Sequence, residues 1–412
     1  MMVNSLIKKE SEGIDIQVPW KDLEVSPSEL RLNQTLMCGQ AFRWKSTGEN
    51  EWTCALWDTV VDLKQTSETV LYRSLGHRLA GYSEKPGGLA DELHEYFRLD
   101  ENLGLLCDRW ASVDPDFDSL RQTQLGVRAL KQPVVENMFT FIASSNNNIK
   151  RITMLIDKLC QQYGHPIDTA KGTFHTFPRV QDIAQDKDIE GSFTKMGFGY
   201  RAKYYAKTVE RLSAEHEDPE QFLLGLRANT SWESVKAQLM QFSGVGPKVA
   251  DCICLMSMDK IDAVPVDTHI WQIAKRRYVD RILALRSDSV LSSQAIQIAD
   301  DKKDSVIGLA RELSTAKLPT TKTYETAQKL FVDLFSPHAG WAQLLLFSGD
   351  LDSSNGIKKP AKKSAKPAKT ENQPKRKASV KTVAPSNADR ALDEAKCRVP
   401  MLRSRSKRSR AD

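Results

Sequence analysis

The sequence predicts an α+β protein: a small antiparallel β-sheet amino-terminal lobe, a mostly α-helical body containing a helix-hairpin-helix, and a disordered basic C-terminal tail. Three observations carry this. Val-, Thr-, Trp- and Phe-rich runs alternate through residues 42–74, apolar residues keep helical spacing from Leu89 to about Phe347, and large apolar residues nearly vanish after Ile357. At about 100–200 residues per domain, 412 residues hold two to four domains. The boundaries read as 1–15 flexible, 16–120 the α+β lobe, 121–351 the helical domains with the hairpin at 231–258, and 357–412 the tail.

Within the lobe, the run FRWKSTGENEWTCALWDTVVDLKQTSETVLYRS breaks at Thr47–Asn50 and at Thr66–Ser67, the turn signals of a meander. LADELHEYFRL then turns helical. VVENMFTFIASSNNNIKRITMLIDKLCQQYG predicts two helices joined at Ser144–Asn148, with Leu155, Ile156 and Leu159 on one face of the second. Residues 279–322 have weaker periodicity and read as an insertion or mobile connection.

Charge is unevenly placed. The chain carries +6 overall, but residues 357–412 hold 18 basic and 5 acidic residues, a net of +13, while the remainder holds 41 basic and 48 acidic, a net of −7. A nucleic-acid surface on the folded part is therefore a local patch, not a global field. In the tail, Lys375–Arg376–Lys377 and the cluster Arg403–Arg410 read as a nuclear-import signal, or as a solvated tail with no address. The first residues lack the long apolar run of a secretory signal. A mitochondrial address for a minor fraction stays open, with Glu10, Glu12 and Asp15 against a long one. No stretch approaches the roughly 18 apolar residues of a membrane span. Seven cysteines without a C-x-x-C pair suit a reducing compartment, and only Cys397 follows Cys254.

The richest stretch is residues 231–278. Val235, Leu239 and Met240 give a first helix an apolar face, Gly244–Val245–Gly246 forces a turn, and Pro247 suits the first turn of a second helix striped by Val249, Cys252, Ile253 and Met256. Such a hairpin lets backbone N–H groups approach a phosphate, although a glycine turn alone is also an ordinary helical hairpin. Lys248 lies in that helix's first turn, where the dipole and apolar neighbours favour the neutral amine that attacks carbon; a phosphate-binding surface lysine is the alternative. Nineteen residues on, Asp267 in Val264–Pro265–Val266–Asp267 is an N-cap candidate whose ionised carboxylate could also stabilise a cationic sugar. His269 could donate to a phosphate or simply face solvent.

GVGPKVADCICLMSMDK followed by AVPVDTHIW resembles the helix-hairpin-helix DNA glycosylases, and within them the eukaryotic 8-oxoguanine DNA glycosylase/AP lyases. CGQAFRW at 38–44, SSNNNIKRIT at 144–153, GFGYRAKY at 197–204 and AGWAQLLLFSGDL at 339–351 extend the resemblance over roughly 20–350, excluding 279–322. The resemblance implies that Lys248 is the Schiff-base nucleophile at C1′, that Asp267 supports sugar cation and proton transfer, and that His269 holds a phosphate. It implies that the Gly39 carbonyl accepts the N7–H that 8-oxoguanine has and guanine lacks, that Gln343 reads the Watson–Crick edge, and that Phe347 and Cys252 sandwich the ring. Asn146, Arg151 and Arg201 would read the opposite cytosine, Tyr200 would fill the gap left by the flipped base, and Gly244 and Gly246 would contact the DNA backbone. From spacing alone, Phe347 reads as helix core, Gly39 as a turn glycine, Asn146–Asn148 as an interhelical turn, and both arginines as a solvated face.

The implied activity is excision of 8-oxoguanine, with formamidopyrimidines, opposite cytosine in base excision repair, followed by a β-elimination nick. The partners would be double-stranded DNA containing oxidised guanine and the import machinery, for a nuclear monomer. No cofactor is expected and no metal-ligand cluster appears, although hairpin carbonyls could hold a structural cation. Three departures stand out: Ser243 where many relatives carry proline, Pro247 where they carry a small residue, and the long 279–322 region. The alternatives are a non-enzymatic hairpin DNA-binding module and a glycosylase for another damaged base. The cysteine count excludes the iron–sulfur branch of the superfamily, and the lack of repeated βα units argues against an aldolase-type Schiff-base enzyme.

Overall fold

The computed structural model describes residues 18–78, 88–229, 231–285 and 295–354, with side chains to 351. The segments expected to be a flexible amino terminus and a basic disordered tail lie outside the described residues.

Five antiparallel strands form the lobe's sheet: β1 (Lys21–Asp22), β2 (Lys45–Gly48), β3 (Glu51–Leu56), β4 (Thr59–Gln65) and β5 (Val70–His77), in spatial order β1-β5-β4-β3-β2. The turns fall where the polar breaks predict, with Asn50 at φ +55 between β2 and β3 and the Thr66 hydroxyl bonded to the Thr69 backbone between β4 and β5. Trp52, Leu56 and Leu63, with Trp44 just before β2, are buried in one cluster with Leu89, Leu93 and Tyr96 of helix Gly88–Tyr96 and with Phe97 just after it.

The body is helical, with two corrections. Pro166–Thr169 (β6) and Gly172–His175 (β7) form a hairpin where helical spacing was expected to continue. Each strand buries one large apolar residue, Ile167 and Phe174, against Ala55 and Val60 of the sheet. A single buried residue per strand leaves no alternation to read. A second correction concerns 279–322. Lys303–Thr315 is a helix that buries Val306, Ile307, Ala310 and Leu313, so this part is packed structure. Its stripe is regular but short, and the polar runs at 300–305 and 315–323 on either side dilute the periodic signal over the region.

The predicted helix pair is Val134–Ser144 and Ile149–Tyr163, the latter burying Leu155, Ile156 and Leu159. Arg43 joins the lobe to this pair. Its guanidinium meets the Glu136 carboxylate at 2.5 Å and donates to the Ala55 and His175 carbonyls at 2.7 Å each. Among the described residues no helix is long and apolar enough to cross a membrane.

Candidate active site

The hairpin consists of helices Trp232–Leu239 and Pro247–Ser257. Ser231 caps the first by accepting from the Ser234 N–H. Val235 and Leu239 are buried, but Met240, expected on the same face, is 41% exposed because the helix ends one residue earlier. Its neighbour in the turn, Gly244, sits at φ +85, and a Cβ there would lie 2.8 Å from Tyr204 Cβ. Gly246 differs: its φ of −90° suits any residue and a Cβ would meet nothing within 4 Å. Among the described residues no packing asks for a glycine there, which suits the close approach of an external group to its backbone.

Lys248 is the second residue of the second hairpin helix and half-buried. Its ammonium lies 4.9 Å from the centre of the Phe141 ring. One turn later, the Cys252 thiol is buried, and burial pushes it up to about 11 against the opposing pull of the Lys248 charge. Asp267 caps helix Thr268–Ile273, as its position before the periodic run predicts. The Oδ1 atom accepts from the His269 and Ile270 N–H groups at 2.9 Å each, which leaves Oδ2 outside both bonds. His269 is exposed, and its ring stands T-shaped to Phe347 with the ring centres 6.1 Å apart.

A second group converges on this face. Gly39 holds φ +86, and a Cβ there would meet Ile149 Cδ1 at 3.2 Å and Phe347 Cε1 at 3.8 Å. Gly39, Phe347 and His269 are thus neighbours, although 308 residues separate the first two. Phe347 is only half-buried, whereas Trp341, on the same helix, is fully buried core. Gln343 is 5% exposed, and its amide has no hydrogen-bond partner among the described residues. Neither amide atom is among the buried unsatisfied ones, so the amide keeps some access to solvent and is open to a ligand.

The third group is the turn Ser144–Asn148. Asn146 stands exposed at φ +48, and the Asn148 side chain caps the next helix by accepting from the Arg151 N–H at 3.0 Å. Arg151 is exposed and donates to the Gly197 carbonyl at 3.2 Å. Tyr200 presents a ring 53% exposed, anchored by its hydroxyl to the Ser145 carbonyl at 3.0 Å. Arg201 is not a solvated face. It is 2% exposed, and its guanidinium donates to the Ser145, Asn146 and Phe198 carbonyls while lying 4.4 Å from the Tyr200 ring centre. Among the described residues there is no group of three or more His, Cys, Asp or Glu arranged to hold a metal ion.

Comparison with known proteins places this geometry. Residues 22–138 match the family described as "8-oxoguanine DNA glycosylase, N-terminal domain", and residues 139–282 match "HhH-GPD superfamily base excision DNA repair protein". The N-glycosylase/DNA lyase OGG1 of Arabidopsis thaliana is 34% identical over 338 residues, covering 82% of each chain. The chain belongs to the 8-oxoguanine DNA glycosylase family.

The N-glycosylase/DNA lyase of Saccharomyces cerevisiae is 32% identical, covering 81% of this chain and 87% of its own. Among solved structures, MBOgg1 in complex with a low-affinity DNA ligand superposes with a TM-score of 0.61 at 25% identity, over 79% of this chain and 93% of that one. The apo 8-oxoguanine glycosylase/lyase of Clostridium acetobutylicum has a TM-score of 0.60 at 24% identity, over 79% and 94%, and supports the fold alone. In this glycosylase fold the sequence reading missed three contributors. Phe141 lies under Lys248 from a distant helix, Ile149 packs at Gly39, and Asp251 gathers donors from two other helices. Phe141 and Ile149 look like ordinary core and helix-start residues in sequence, and Asp251 looks like a surface aspartate.

Proposed function

We propose that this chain is a bifunctional repair enzyme that excises 8-oxoguanine opposite cytosine in duplex DNA and then nicks the strand as an AP lyase. The observation that carries the reading is Lys248: a half-buried amine over the Phe141 ring, one turn from Cys252, on a phosphate-binding type of hairpin. The neutral Nζ attacks C1′ as the C1′–N9 bond breaks, and the base leaves with the bonding electrons and takes up a proton. The Asp267 carboxylate, aimed by two backbone N–H groups, opposes the positive charge that develops on the sugar. Loss of a proton from nitrogen and opening of the ring at O4′ give the imine. Removal of a C2′ proton then expels the 3′ phosphate, and water hydrolyses the imine to free Lys248.

The flipped base enters between Phe347 and Cys252, with the Gly39 carbonyl as acceptor for N7–H and the open Gln343 amide at the Watson–Crick edge. Tyr200 fills the vacated stack, and Asn146 and Arg151 face the cytosine from a turn that Arg201 holds together. Formamidopyrimidines, which share the same edge, are further substrates. His269 and the Gly244–Gly246 hairpin take flanking phosphates. The protein acts as a monomer in the nucleus, delivered by import machinery that reads the basic tail, with a minor mitochondrial fraction.

The test is borohydride trapping on a duplex with one 8-oxoguanine opposite cytosine, for wild type and Lys248→Gln. Undamaged guanine and 8-oxoguanine opposite adenine serve as controls. A covalent band from wild type alone, strongest opposite cytosine, is expected. No band and no base release, with DNA binding intact in both, would leave a binding module; base release without a band would make Lys248 a phosphate contact.

A further inference from the structure

Asp251 is a fully buried carboxylate three residues after Lys248, and the chemistry above does not use it. Four side chains point donors at it. Trp232 Nε1 at 2.9 Å and Lys236 Nζ at 2.8 Å come from the first hairpin helix; Tyr324 Oη and Gln328 Nε2, the latter at 2.8 Å, come from helix Thr321–Phe335. The Gln328 amide does more. The same Nε2 donates to the Val264 carbonyl at 2.8 Å, and its Oε1 accepts from Lys236 at 3.3 Å. Val264 is buried and opens the Val264–Pro265–Val266–Asp267 segment. An unbroken path therefore runs from the lysine's helix through Asp251 and Gln328 to the backbone that presents Asp267.

A buried carboxylate is an expensive way to fill space, since an apolar side chain of similar volume often stabilises as well or better. What the ionic group adds is direction: its oxygens accept along fixed lines and reject neighbours that cannot donate. Helix Thr321–Phe335 lies beyond the residues matched to the superfamily, which end at 282, so the link between amine and carboxylate is closed by an element outside that unit. We infer that Asp251 and Gln328 are positioning residues of the excision reaction, fixing the Lys248 helix against the segment that carries Asp267. The inference rests on the proposed chemistry of those two residues. A displacement near 1 Å between an attacking atom and its electrostatic partner can cost about 100-fold in rate.

The full chain is tested as Gln328→Met, which keeps side-chain length and removes both donated bonds, and as Asp251→Asn. Melting temperature, affinity for a duplex with an uncleavable abasic-site analogue, and the single-turnover excision rate constant at saturating enzyme are measured. A loss of folded molecules changes the amount of active protein, whereas a displaced lysine changes the saturating rate constant. The expected result for Gln328→Met is a melting temperature lowered by a few degrees, because two buried acceptors lose a donor, near-wild-type affinity, a rate constant reduced about 10- to 100-fold, and a parallel reduction in borohydride-trapped product. A saturating rate constant equal to wild type overturns the inference. If Gln328→Met does not fold, Tyr324→Phe removes one donor while keeping the ring beside Lys236, and the same rate comparison decides. A wild-type chain that neither excises nor is trapped overturns the proposed function as well; wild-type excision with unchanged variant kinetics overturns this inference alone.

Discussion

Gly244 and Gly246 stand two residues apart in one turn, yet alanine should do opposite things at each. At Gly244 the new Cβ is forced into the left-handed region at φ +85, a strain of about 1–2 kcal/mol. It also lands 2.8 Å from Tyr204 Cβ, close to the backbone of a ring that packs edge-on against Tyr200 at 5.8 Å, and this overpacking adds about 1–3 kcal/mol. Gly244→Ala should therefore lose roughly 2–5 kcal/mol of stability and melt several degrees lower. At Gly246 the backbone is ordinary and the space is open. The weaker N-cap preference of alanine and the reduced freedom of the unfolded chain nearly offset each other, leaving stability within about 1 kcal/mol. What alanine takes away at 246 is access. A phosphate oxygen held off by a methyl group loses one charge-assisted hydrogen bond, about 1.5–3 kcal/mol, or roughly 10- to 100-fold in affinity. Fluorescence anisotropy with an abasic-analogue duplex at fixed ionic strength reads the affinity, and calorimetry reads the melting. A Gly246→Ala protein that melts and binds like wild type would refute the idea that the hairpin is shaped for a phosphate.

Asp267→Asn keeps an oxygen that can cap the helix, so melting should stay within about 0.5 kcal/mol of wild type while excision falls at least about 100-fold; a parallel loss of both would make Asp267 a cap only. Gly39→Ala combines φ +86 with a 3.2 Å approach to Ile149, and should cost about 1–2 kcal/mol of stability and lower excision of 8-oxoguanine more than binding to an abasic site, read by comparing the two duplexes. Asp259 gives a pH prediction. Burial alone would raise its carboxyl, but the charges of Arg98, Lys131 and Arg227 outweigh burial and lower it. Its contribution is therefore present above the unfolded carboxyl value near 3.9 and is lost as pH falls through the lower folded value. Asp259→Asn should destabilise by about 1–3 kcal/mol at neutral pH, with the gap to wild type closing below roughly pH 4 in acid-unfolding curves; a pH-independent gap would reject the ion-pair account.

Features written in consecutive residues were legible in the sequence. The glycine turn, Pro247 at the helix start and Asp267 before an apolar run each act within a few residues, and each stands where expected. The sheet's polar turns were legible for the same reason. What sequence could not give was partnership across the chain. Nothing local marks Phe141 as the floor beneath Lys248, or ties Trp232 and Gln328, 19 and 77 residues from Asp251, to one carboxylate, because those contacts exist only once the helices have packed. The β6–β7 hairpin was missed because each strand buries a single large apolar residue, and helix Lys303–Thr315 because its short stripe stands between long polar runs.

In the proposed function, the buried Arg201 would serve recognition through the turn it holds. Its guanidinium lies on the Ser145 and Asn146 carbonyls, and the Ser145 carbonyl also receives the Tyr200 hydroxyl. Asn146 is held at φ +48, a conformation that asparagine tolerates but does not prefer to an extended one. Fixing it before DNA arrives removes that ordering cost from binding. The planar fork of arginine suits this task, because its several N–H donors reach the Ser145, Asn146 and Phe198 carbonyls while the guanidinium lies 4.4 Å from the Tyr200 ring centre. The exposed Asn146 and Tyr200 side chains are thus presented by one preassembled turn, and under the proposed function Arg201 would act on the opposite base by holding that turn in register.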